Sequence, residues 1–234
     1  MSTNISWTDE TLNLLTGCTK VSDGCVNCYA EVTCNRMTHN PNPKVAHKFR
    51  NGFKLTEHPQ YLNDPILRGK SKRIFMNSLS DTFHKDVSDG FLGAMFQMIA
   101  EHPQHIFQVL TKRPEGFSRI QTWPANVWLG VTVESSKYLQ RIDVLKTQTP
   151  TVKFVSFEPL LGPISADAIR GLDWVVVGGE SGHKARPMNL EWAREIQGAC
   201  KGYNVPFFFK QVGGKDRAKG GQWLDGEQYH EYPL

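Results

Sequence analysis

Residues 151–180, TVKFVSFEPLLGPISADAIRGLDWVVVGGE, contain the pattern that decides the fold. Two apolar runs, Val152–Phe157 and Trp174–Val177, have strand length and no polar alternation, which is typical of strands buried on both faces. A short crossover at Ala166–Leu172 separates them, and both runs end in polar residues or glycine. This order of strand, crossover and strand predicts a right-handed unit of a parallel sheet.

The same order recurs along most of the chain. Further strands are predicted at Arg73–Asn77, Ile106–Leu110, Val127–Val133 and Val205–Phe209, with one more near Ile5–Trp7. Apolar residues at helical spacing predict helices over Val87–Ile99, Tyr138–Leu145 and Leu190–Ile196. A full eightfold barrel takes about 250 residues, and this chain has 234. The sequence therefore predicts a single α/β domain over residues 1–234, a partial (β/α)6-type parallel barrel.

Composition and charge exclude several classes of protein. The hydrophobic fraction of 39% is that of an ordinary globular chain. The apolar runs are far shorter than the roughly 20 residues of a membrane span, and the polar start of the chain is unlike a secretory signal. The net charge of +4 is concentrated in one segment, since eight basic and two acidic residues give +6 between His39 and Arg73. Residues 39–72, punctuated by proline and glycine, are predicted to form a basic irregular insertion.

The cysteines predict a metal site in a reducing compartment. Their number, five, is odd, and a chain of this length is not a disulfide scaffold. Four of them, Cys18, Cys25, Cys28 and Cys34, lie within 17 residues, while Cys200 stands alone. Such a cluster is typical of an intracellular protein, so we expect a cytoplasmic location.

The loop at residues 17–29 has the spacing Cys-x6-Cys-x2-Cys. Three thiolates, from Cys18, Cys25 and Cys28, can hold three irons of a [4Fe–4S] cluster and leave the fourth iron open to a ligand. Cys34 is the alternative fourth ligand, which would close a structural zinc or iron–sulfur site. It can also be an interior residue of a helix over Ala30–Arg36, and unligated reduced cysteines are a third reading.

Polar residues follow the predicted strands, where parallel α/β folds bind ligands. A helix cap explains any one of them equally well, as with Ser80 or Asp81. Together they favour a polar ligand with several anchoring points. These strand-end residues are Asn77, Ser78, Ser80, Asp81, Lys112, Arg113, Thr132, Glu134, Ser156, Glu158, Glu180 and Lys210, with Arg186 in a loop nearby.

Several motifs together resemble one family. The motifs are Trp7-Thr8, Gly17-Cys18-Thr19-Lys20-Val21-Ser22, Cys25-Val26-Asn27-Cys28-Tyr29-Ala30-Glu31, Ser78-Leu79-Ser80-Asp81, Leu110-Thr111-Lys112-Arg113-Pro114, Trp128-Leu129-Gly130-Val131-Thr132-Val133-Glu134, Ser156-Phe157-Glu158-Pro159-Leu160-Leu161, Gly178-Gly179-Glu180-Ser181-Gly182 and Ala185-Arg186-Pro187-Met188. With them the chain resembles the radical S-adenosylmethionine enzymes and, more closely, an uncharacterised three-cysteine-motif family frequent in bacteriophage genomes. If the gene belongs to a phage, the expected location is the host cytoplasm.

The resemblance implies a [4Fe–4S] cluster and S-adenosylmethionine as cofactors. The open iron would chelate S-adenosylmethionine, and an electron from a donor would cleave it to a 5′-deoxyadenosyl radical that abstracts hydrogen from the substrate. By analogy, the cofactor-binding residues are Tyr29, Asn77, Ser78, Ser80, Asp81, Thr132, Glu134, Ser156 and Glu158. The commonest spacing in that superfamily has three residues between the first two cysteines, whereas this chain has six.

The expected substrate is anionic, a nucleotide or a nucleic acid such as a base of phage DNA. Its candidate contacts are Lys112, Arg113, Glu180, Arg186 and Lys210, since arginine offers a planar fork to phosphate or carboxylate. The alternative function is a nucleic-acid-binding module with a structural four-cysteine zinc site, which predicts salt-dependent binding without turnover. A third is an inactive barrel that binds another protein.

Overall fold

The computed structural model describes residues 3–215 and 220–233. The chain divides into two compact units. The first unit is Met1–Val21 with Cys28–Trp128, and the second is Ser22–Asn27 with Leu129–Leu234. A single domain over residues 1–234 stays a prediction.

Strands and helices alternate as predicted over most of the chain. The strands are β1 (Glu10–Leu12), β2 (Leu15–Thr16), β3 (Thr56–Glu57), β4 (Arg73–Met76), β5 (Ile106–Thr111), β6 (Val127–Thr132), β7 (Val152–Phe157), β8 (Trp174–Gly178) and β9 (Phe207–Gln211). The α-helices are α1 (Tyr29–Met37), α2 (Pro43–Lys48), α3 (Asp89–Ala100), α4 (Gln140–Lys146) and α5 (Leu190–Tyr203). In the part of the chain described, no helix has both the length and the apolar character needed to cross a membrane.

Seven strands have the order β1-β4-β5-β6-β7-β8-β9, so neighbours in the sheet follow one another along the chain except for the step from β1 to β4. The pairs β1–β4 and β4–β5 in the first unit are parallel, as are β7–β8 and β8–β9 in the second. The predicted fold class, parallel α/β, is confirmed, and the closure of the sheet into a partial barrel stays a prediction.

In the first unit, the residues at which hydrogen bonding begins explain why strand and helix boundaries differ from the predicted ones. The predicted strand near Ile5–Trp7 is wrong, because the ladder with β4 begins at Glu10, opposite Ile74. Trp7 is buried instead against the ring of Phe75, with 4.6 Å between the ring centroids. Helix α3 begins at Asp89 because the hydroxyl of Ser88 accepts a hydrogen bond from the backbone N–H of Phe91.

The second unit has a core of aromatic side chains on its strands. Phe154 packs against Trp174, with ring centroids 5.4 Å apart. A Cβ added at Gly130 would lie 2.5 Å from the Phe154 ring, so only glycine leaves room there. Strand β9 begins at Phe207 rather than Val205 because the intervening Pro206 has no N–H for the ladder.

Residues 39–72, predicted to be an irregular insertion, contain short regular elements. Besides helix α2, strand β3 pairs antiparallel with β2, where Leu15 lies opposite Glu57. Phe49, His58 and Leu67 are buried and tie the segment into the first unit. Sequence periodicity missed these elements because β3 has two residues and α2 has six.

Candidate functional site

The five cysteines fall into two groups by burial. Cys18, Cys25 and Cys28 are half-buried, whereas Cys34 and Cys200 are buried. Cys34 lies on α1 with its sulfur 4.0 Å from the carbonyl oxygen of Leu79, and it is 0% exposed. This position is that of an interior residue, as one of the readings of the sequence expected.

The beginning of the cysteine loop is fixed by backbone of the first unit. The N–H of Gly17 donates to Leu79 O at 3.1 Å, and the Ser80 hydroxyl donates to Gly17 O at 2.5 Å. Gly17 has φ +81°, and an added Cβ would lie 2.3 Å from the carbonyl oxygen of Lys54. Both the left-handed backbone and the close approach require glycine here.

Arg113 lies against the first cysteine. Its Nη1 is 3.3 Å from the sulfur of Cys18, and its Nη2 donates to both the carbonyl and the hydroxyl oxygen of Thr19 at 2.8 Å. Burial raises the pKa of the Cys18 thiol to about 11, and Asp81 adds to the increase while Arg113 opposes it. The guanidinium is the cationic group that would stabilise a thiolate at this position.

Asp81 holds Arg113 in place. One carboxylate oxygen accepts from the Thr111 hydroxyl at 2.6 Å, and the other accepts from Lys112 N at 3.0 Å and Arg113 Nη1 at 3.2 Å. The first oxygen also accepts from Phe83 N at 3.0 Å. Helix α3 has Ser88 as its cap, so the structure excludes the reading of Asp81 as that cap.

The middle of the loop, Ser22–Asn27, belongs to the second unit and contacts its strand ends. The Ser22 hydroxyl donates to Glu134 Oε1 at 2.5 Å, and Arg141 Nη1 donates to Glu134 Oε2 at 2.9 Å. A Cβ added at Gly24 would lie 2.5 Å from Glu134 Oε1. The Ser22 hydroxyl is also 3.6 Å from the sulfur of Cys25. Glu134, 0% exposed, therefore fixes the backbone that carries Cys25.

Glu180 holds the same segment from a second side. Its Oε2 accepts from Asn27 Nδ2 at 3.0 Å and from Arg186 Nε at 2.9 Å. The Nη2 of Arg186 donates to Glu180 Oε1 at 2.5 Å and to the carbonyl oxygen of Asp23 at 3.0 Å. Burial acts to raise the pKa of Glu180, but the hydrogen bonds from Arg186 and Asn27 outweigh it, so the pKa lies below its usual value.

A further polar group of the second unit lies at the end of β7. Ser156 and Glu158 are two residues apart at the end of β7, so they share a face of the sheet. Glu158 forms an ion pair with Lys210. The Ser156 hydroxyl is buried, and among the described residues it has no hydrogen-bond partner. A buried hydroxyl without a partner is a position where a polar ligand gains a hydrogen bond.

The remaining predicted cofactor contacts are mostly engaged within the chain. The Oδ1 of Asn77 accepts hydrogen bonds from Leu14 N and Leu15 N, and its Nδ2 donates to the Thr82 hydroxyl. The backbone of Asn77 has φ +54°. The Tyr29 hydroxyl donates to the carbonyl oxygen of Ser78. Ser78 in turn donates to Asn13, and Thr132 is buried. Contacts of these four residues with a cofactor stay predictions.

Residues 39–72, the basic insertion, contain lysines in two different environments. Lys48 Nζ donates to Asn13 O at 3.0 Å and lies 3.8 Å from the centre of the Tyr61 ring, and burial lowers its pKa to about 8. Lys48 therefore supports the fold. Lys54, by contrast, is exposed and lines a cavity of about 680 Å³ together with Cys18 and Asn35.

Sequence reasoning missed the residues that hold the loop. Thr19, Ser22 and Asn27 stand between the cysteines and were part of the motif, but spacing alone gives them no partner. Thr111 and Arg141 were missed because they act on the loop indirectly. Each donates a hydrogen bond to a buried carboxylate, and only the fold shows which one. Of the predicted residues, the structure joins Asp81 with Arg113, Glu158 with Lys210, and Glu180 with Arg186.

The residue chemistry of the loop is that of iron–sulfur ligands. Three half-buried thiols are the soft ligands that such clusters require, and both Cys18 and Cys25 have a polar side chain at the sulfur. Within residues 3–215 and 220–233, no three histidine, cysteine or acidic side chains form a group ready to hold a metal ion.

Comparisons with known proteins establish the family. A parallel α/β chain with a cysteine loop matches, over residues 2–233, the model of the family described as "Protein of unknown function (DUF5131)". The chain belongs to that family. No curated protein matches the sequence.

Solved structures of spore photoproduct lyase are among those similar to this chain. The complex with dinucleoside spore photoproduct gives a TM-score of 0.45 at 11% identity, over 83% of this chain and 62% of that chain. A mutant with bound AdoMet and the same dinucleoside gives equal values. Another mutant gives a TM-score of 0.46 at 11% identity, with the same coverage. The chain thus spans 62% of the length of these structures.

Proposed function

We propose that the protein is a radical S-adenosylmethionine enzyme whose Cys18, Cys25 and Cys28 hold a [4Fe–4S] cluster. The observation that supports this most strongly is the difference in burial between these thiols and the other two cysteines. A closed four-cysteine site needs Cys34, which is 0% exposed and directed at the carbonyl oxygen of Leu79. Three thiols leave one iron open, as a cluster that binds a second cofactor requires.

The chain's own contribution is to fix the loop. With S-adenosylmethionine bound at the open iron and one electron from a donor, the cluster would supply a 5′-deoxyadenosyl radical for hydrogen abstraction. Asp81 and Arg113 fix the loop at Cys18, and Glu134 and Glu180 fix it at Cys25. We place the reaction in the cytoplasm, where thiols stay reduced.

S-adenosylmethionine would meet the strand-end residues. Ser156 is the strongest candidate, because its buried hydroxyl can donate to a ribose or carboxylate oxygen. Glu158, paired with Lys210, is able to accept from a hydroxyl or an amino group. The other proposed cofactor contacts are Tyr29, Asn77, Ser78, Ser80, Asp81, Thr132 and Glu134.

The proposed substrate is anionic, a nucleotide or a nucleic acid, and a base of phage DNA is the specific case. Exposed Lys54 beside the cavity at Cys18 supports this, since a lysine is a point charge that attracts phosphate. The proposed substrate contacts are Lys112, Glu180, Arg186 and Lys210. Arg113, the fifth residue expected from the sequence, is buried against Cys18 instead.

Anaerobic reconstitution with iron and sulfide tests the proposal. The full chain should acquire a [4Fe–4S] spectrum and release 5′-deoxyadenosine from S-adenosylmethionine under reduction. Cys18→Ala should lose at least tenfold of the 5′-deoxyadenosine yield, since one of three iron ligands is gone.

Cys200→Ala is the matched control, because Cys200 is buried on α5 away from the loop. It should keep the iron content and the yield. A wild-type chain that takes up zinc but neither iron nor sulfide would contradict the proposed function.

A further inference from the structure

Arg113 is a buried cation whose place is fixed entirely by side chains and backbone of the first unit. It is 4% exposed, and Asp81, which pairs with it, is 6% exposed. Burying a guanidinium is costly unless it is paired and hydrogen-bonded. Here Asp81 and Thr19 together provide that compensation.

The groups around Arg113 are themselves locked. Its backbone N–H donates to the Thr111 hydroxyl at 2.8 Å, and that hydroxyl donates to Asp81 at 2.6 Å. On the other side, the Thr19 hydroxyl is 2.9 Å from Nε2 of His84, a residue that is 0% exposed. The guanidinium therefore has one orientation, with Nη1 directed at the sulfur of Cys18.

The contact with sulfur is what makes this arrangement specific. Nη1 is 3.3 Å from Cys18 Sγ, a hydrogen-bonding distance for a sulfur acceptor. Hydrogen bonds and positive charge at the sulfur ligands of a cluster stabilise its more negative, reduced form, and this raises the reduction potential. At Cys25 the side chain identified beside the sulfur is the neutral hydroxyl of Ser22, at 3.6 Å.

We propose that Arg113, oriented by Asp81 and Thr19, is a positioning residue that donates to the Cys18 sulfur and raises the reduction potential of the cluster. This proposal rests on the proposed function, because it requires a cluster on the loop. The same side chain was a candidate substrate contact on sequence grounds, and its burial points to the cluster side instead.

A redox titration of the reconstituted full chain, followed by electron paramagnetic resonance with dithionite as reductant, tests the proposal. At the wild-type midpoint, Arg113→Gln should have a reduced-to-oxidised ratio at least tenfold lower, which is about 59 mV for one electron. Arg113→Lys should recover part of the shift, since lysine keeps the charge but loses the fork.

Arg119→Gln is the control, because Arg119 pairs with Asp89 and donates to Val87 O within the same unit without contacting a cysteine. Its midpoint should equal the wild-type value. Iron and sulfide are measured in every sample. If the wild type acquires no cluster, the proposed function fails; if wild type and Arg113→Gln both acquire it and share one midpoint, this inference alone is wrong.

Arg113→Gln leaves Asp81 buried without its partner and can therefore impair folding. A second variant tests the proposal without that defect. The double variant Asp81→Asn/Arg113→Met removes both charges, and Asp81→Asn is its reference. The double variant should have the lower midpoint of the two. Equal midpoints would overturn the role of Arg113.

Discussion

The first and the middle parts of the cysteine loop are held by different means. At Cys18 a guanidinium contacts the sulfur itself, and Asp81 lies behind it. At Cys25 two carboxylates hold the neighbours, Glu134 through Ser22 and Glu180 through Asn27. Both arrangements use carboxylate–arginine pairs. In the first the arginine contacts the cysteine sulfur, whereas in the second Glu134, Glu180 and Arg186 contact residues beside Cys25.

The difference separates two tasks. A cation at a sulfur changes the electrostatics of that ligand, whereas a carboxylate that accepts from a hydroxyl or an amide fixes the backbone without adding positive charge. We therefore expect changes at Cys18 to alter cluster properties. Changes around Cys25 should alter the stability and exposure of the loop.

The largest expected effect on stability is from replacing the two glycines of the loop that lie in close contact with neighbouring atoms, Gly17 and Gly24. Gly17→Ala places a Cβ 2.3 Å from Lys54 O at φ +81°, so strain and a backbone clash combine. We expect a loss of about 4 kcal/mol in the free energy of unfolding, measured with urea. Gly24→Ala meets the Glu134 side chain at 2.5 Å, and we expect about 2 kcal/mol.

Gly171→Ala is the control for these two variants. Gly171 has φ +78° and nothing within 4 Å of an added Cβ, so it has the conformational strain without the clash. Its expected cost is about 1 kcal/mol. An equal cost for Gly17→Ala and Gly171→Ala would show that the contact with Lys54 is unimportant.

The next largest effect after that of Gly17→Ala is expected for Glu134→Gln. It leaves the Arg141 side chain, 6% exposed, without its carboxylate, and breaking a buried pair costs about 3 kcal/mol. Urea unfolding measures the loss. Peptide mass spectrometry after brief alkylation should show faster modification of Cys25 but not of Cys18.

The double variant Glu134→Gln/Arg141→Met removes both charges and should recover part of the stability. Cys25 should stay more reactive in it, because Ser22 still lacks its carboxylate acceptor. If alkylation of Cys18 rises as much as that of Cys25, the two parts of the loop are not held independently.

Arg186→Gln should have a smaller, pH-dependent effect. The Arg186 side chain is 34% exposed, so solvent screens the pair and we expect about 1 kcal/mol at pH 7. Because the pKa of Glu180 is lowered in the folded state, its stabilisation is present above the ordinary pKa of 4.5 and is lost as the pH falls through the lowered value. The difference between wild type and variant should therefore shrink in acid.

Urea unfolding of both proteins at pH 7 and at pH 3 measures this difference. A gap in unfolding free energy that stays constant with pH would mean that the ion pair with Glu180 is not its cause.

The smallest effect on stability is expected for Lys54→Ala. The side chain is exposed, so the free energy of unfolding should change by less than about 0.5 kcal/mol. Binding of a single-stranded oligonucleotide, measured by fluorescence anisotropy at low salt, should weaken severalfold. Lys44→Ala is the matched control, an exposed lysine of the same segment on α2. Equal losses for the two variants would indicate a diffuse charge effect rather than a site at Cys18.

Strand runs in the sequence predicted the fold class, because a strand buried on both faces needs consecutive apolar residues. Val152–Phe157 was predicted with the bounds that β7 has. The predicted boundaries were wrong where a single residue decides at which position hydrogen bonding begins. Pro206 before β9 and Ser88 before α3 are such residues. The short elements in residues 39–72 were not predicted for another reason: a segment of two to six residues is too short to show a repeating pattern of apolar residues.

For the site, the sequence identified the residues but not their partners. Residue chemistry and position after a strand pointed to Asp81, Glu134 and Glu180. It could not show that Asp81 orients Arg113 while the two glutamates hold the loop. Those pairings join residues that are 32, 112 and 153 positions apart in the chain.

The sequence by itself determined the parallel α/β class, the three-cysteine loop and the polar strand ends, since each depends on local spacing and side-chain chemistry. Only the tertiary structure decided which thiols are half-buried, and that Lys48 supports the fold while Lys54 lines a cavity. The physical reason is that burial and hydrogen-bond partners depend on which distant segments meet, and local sequence does not encode those meetings.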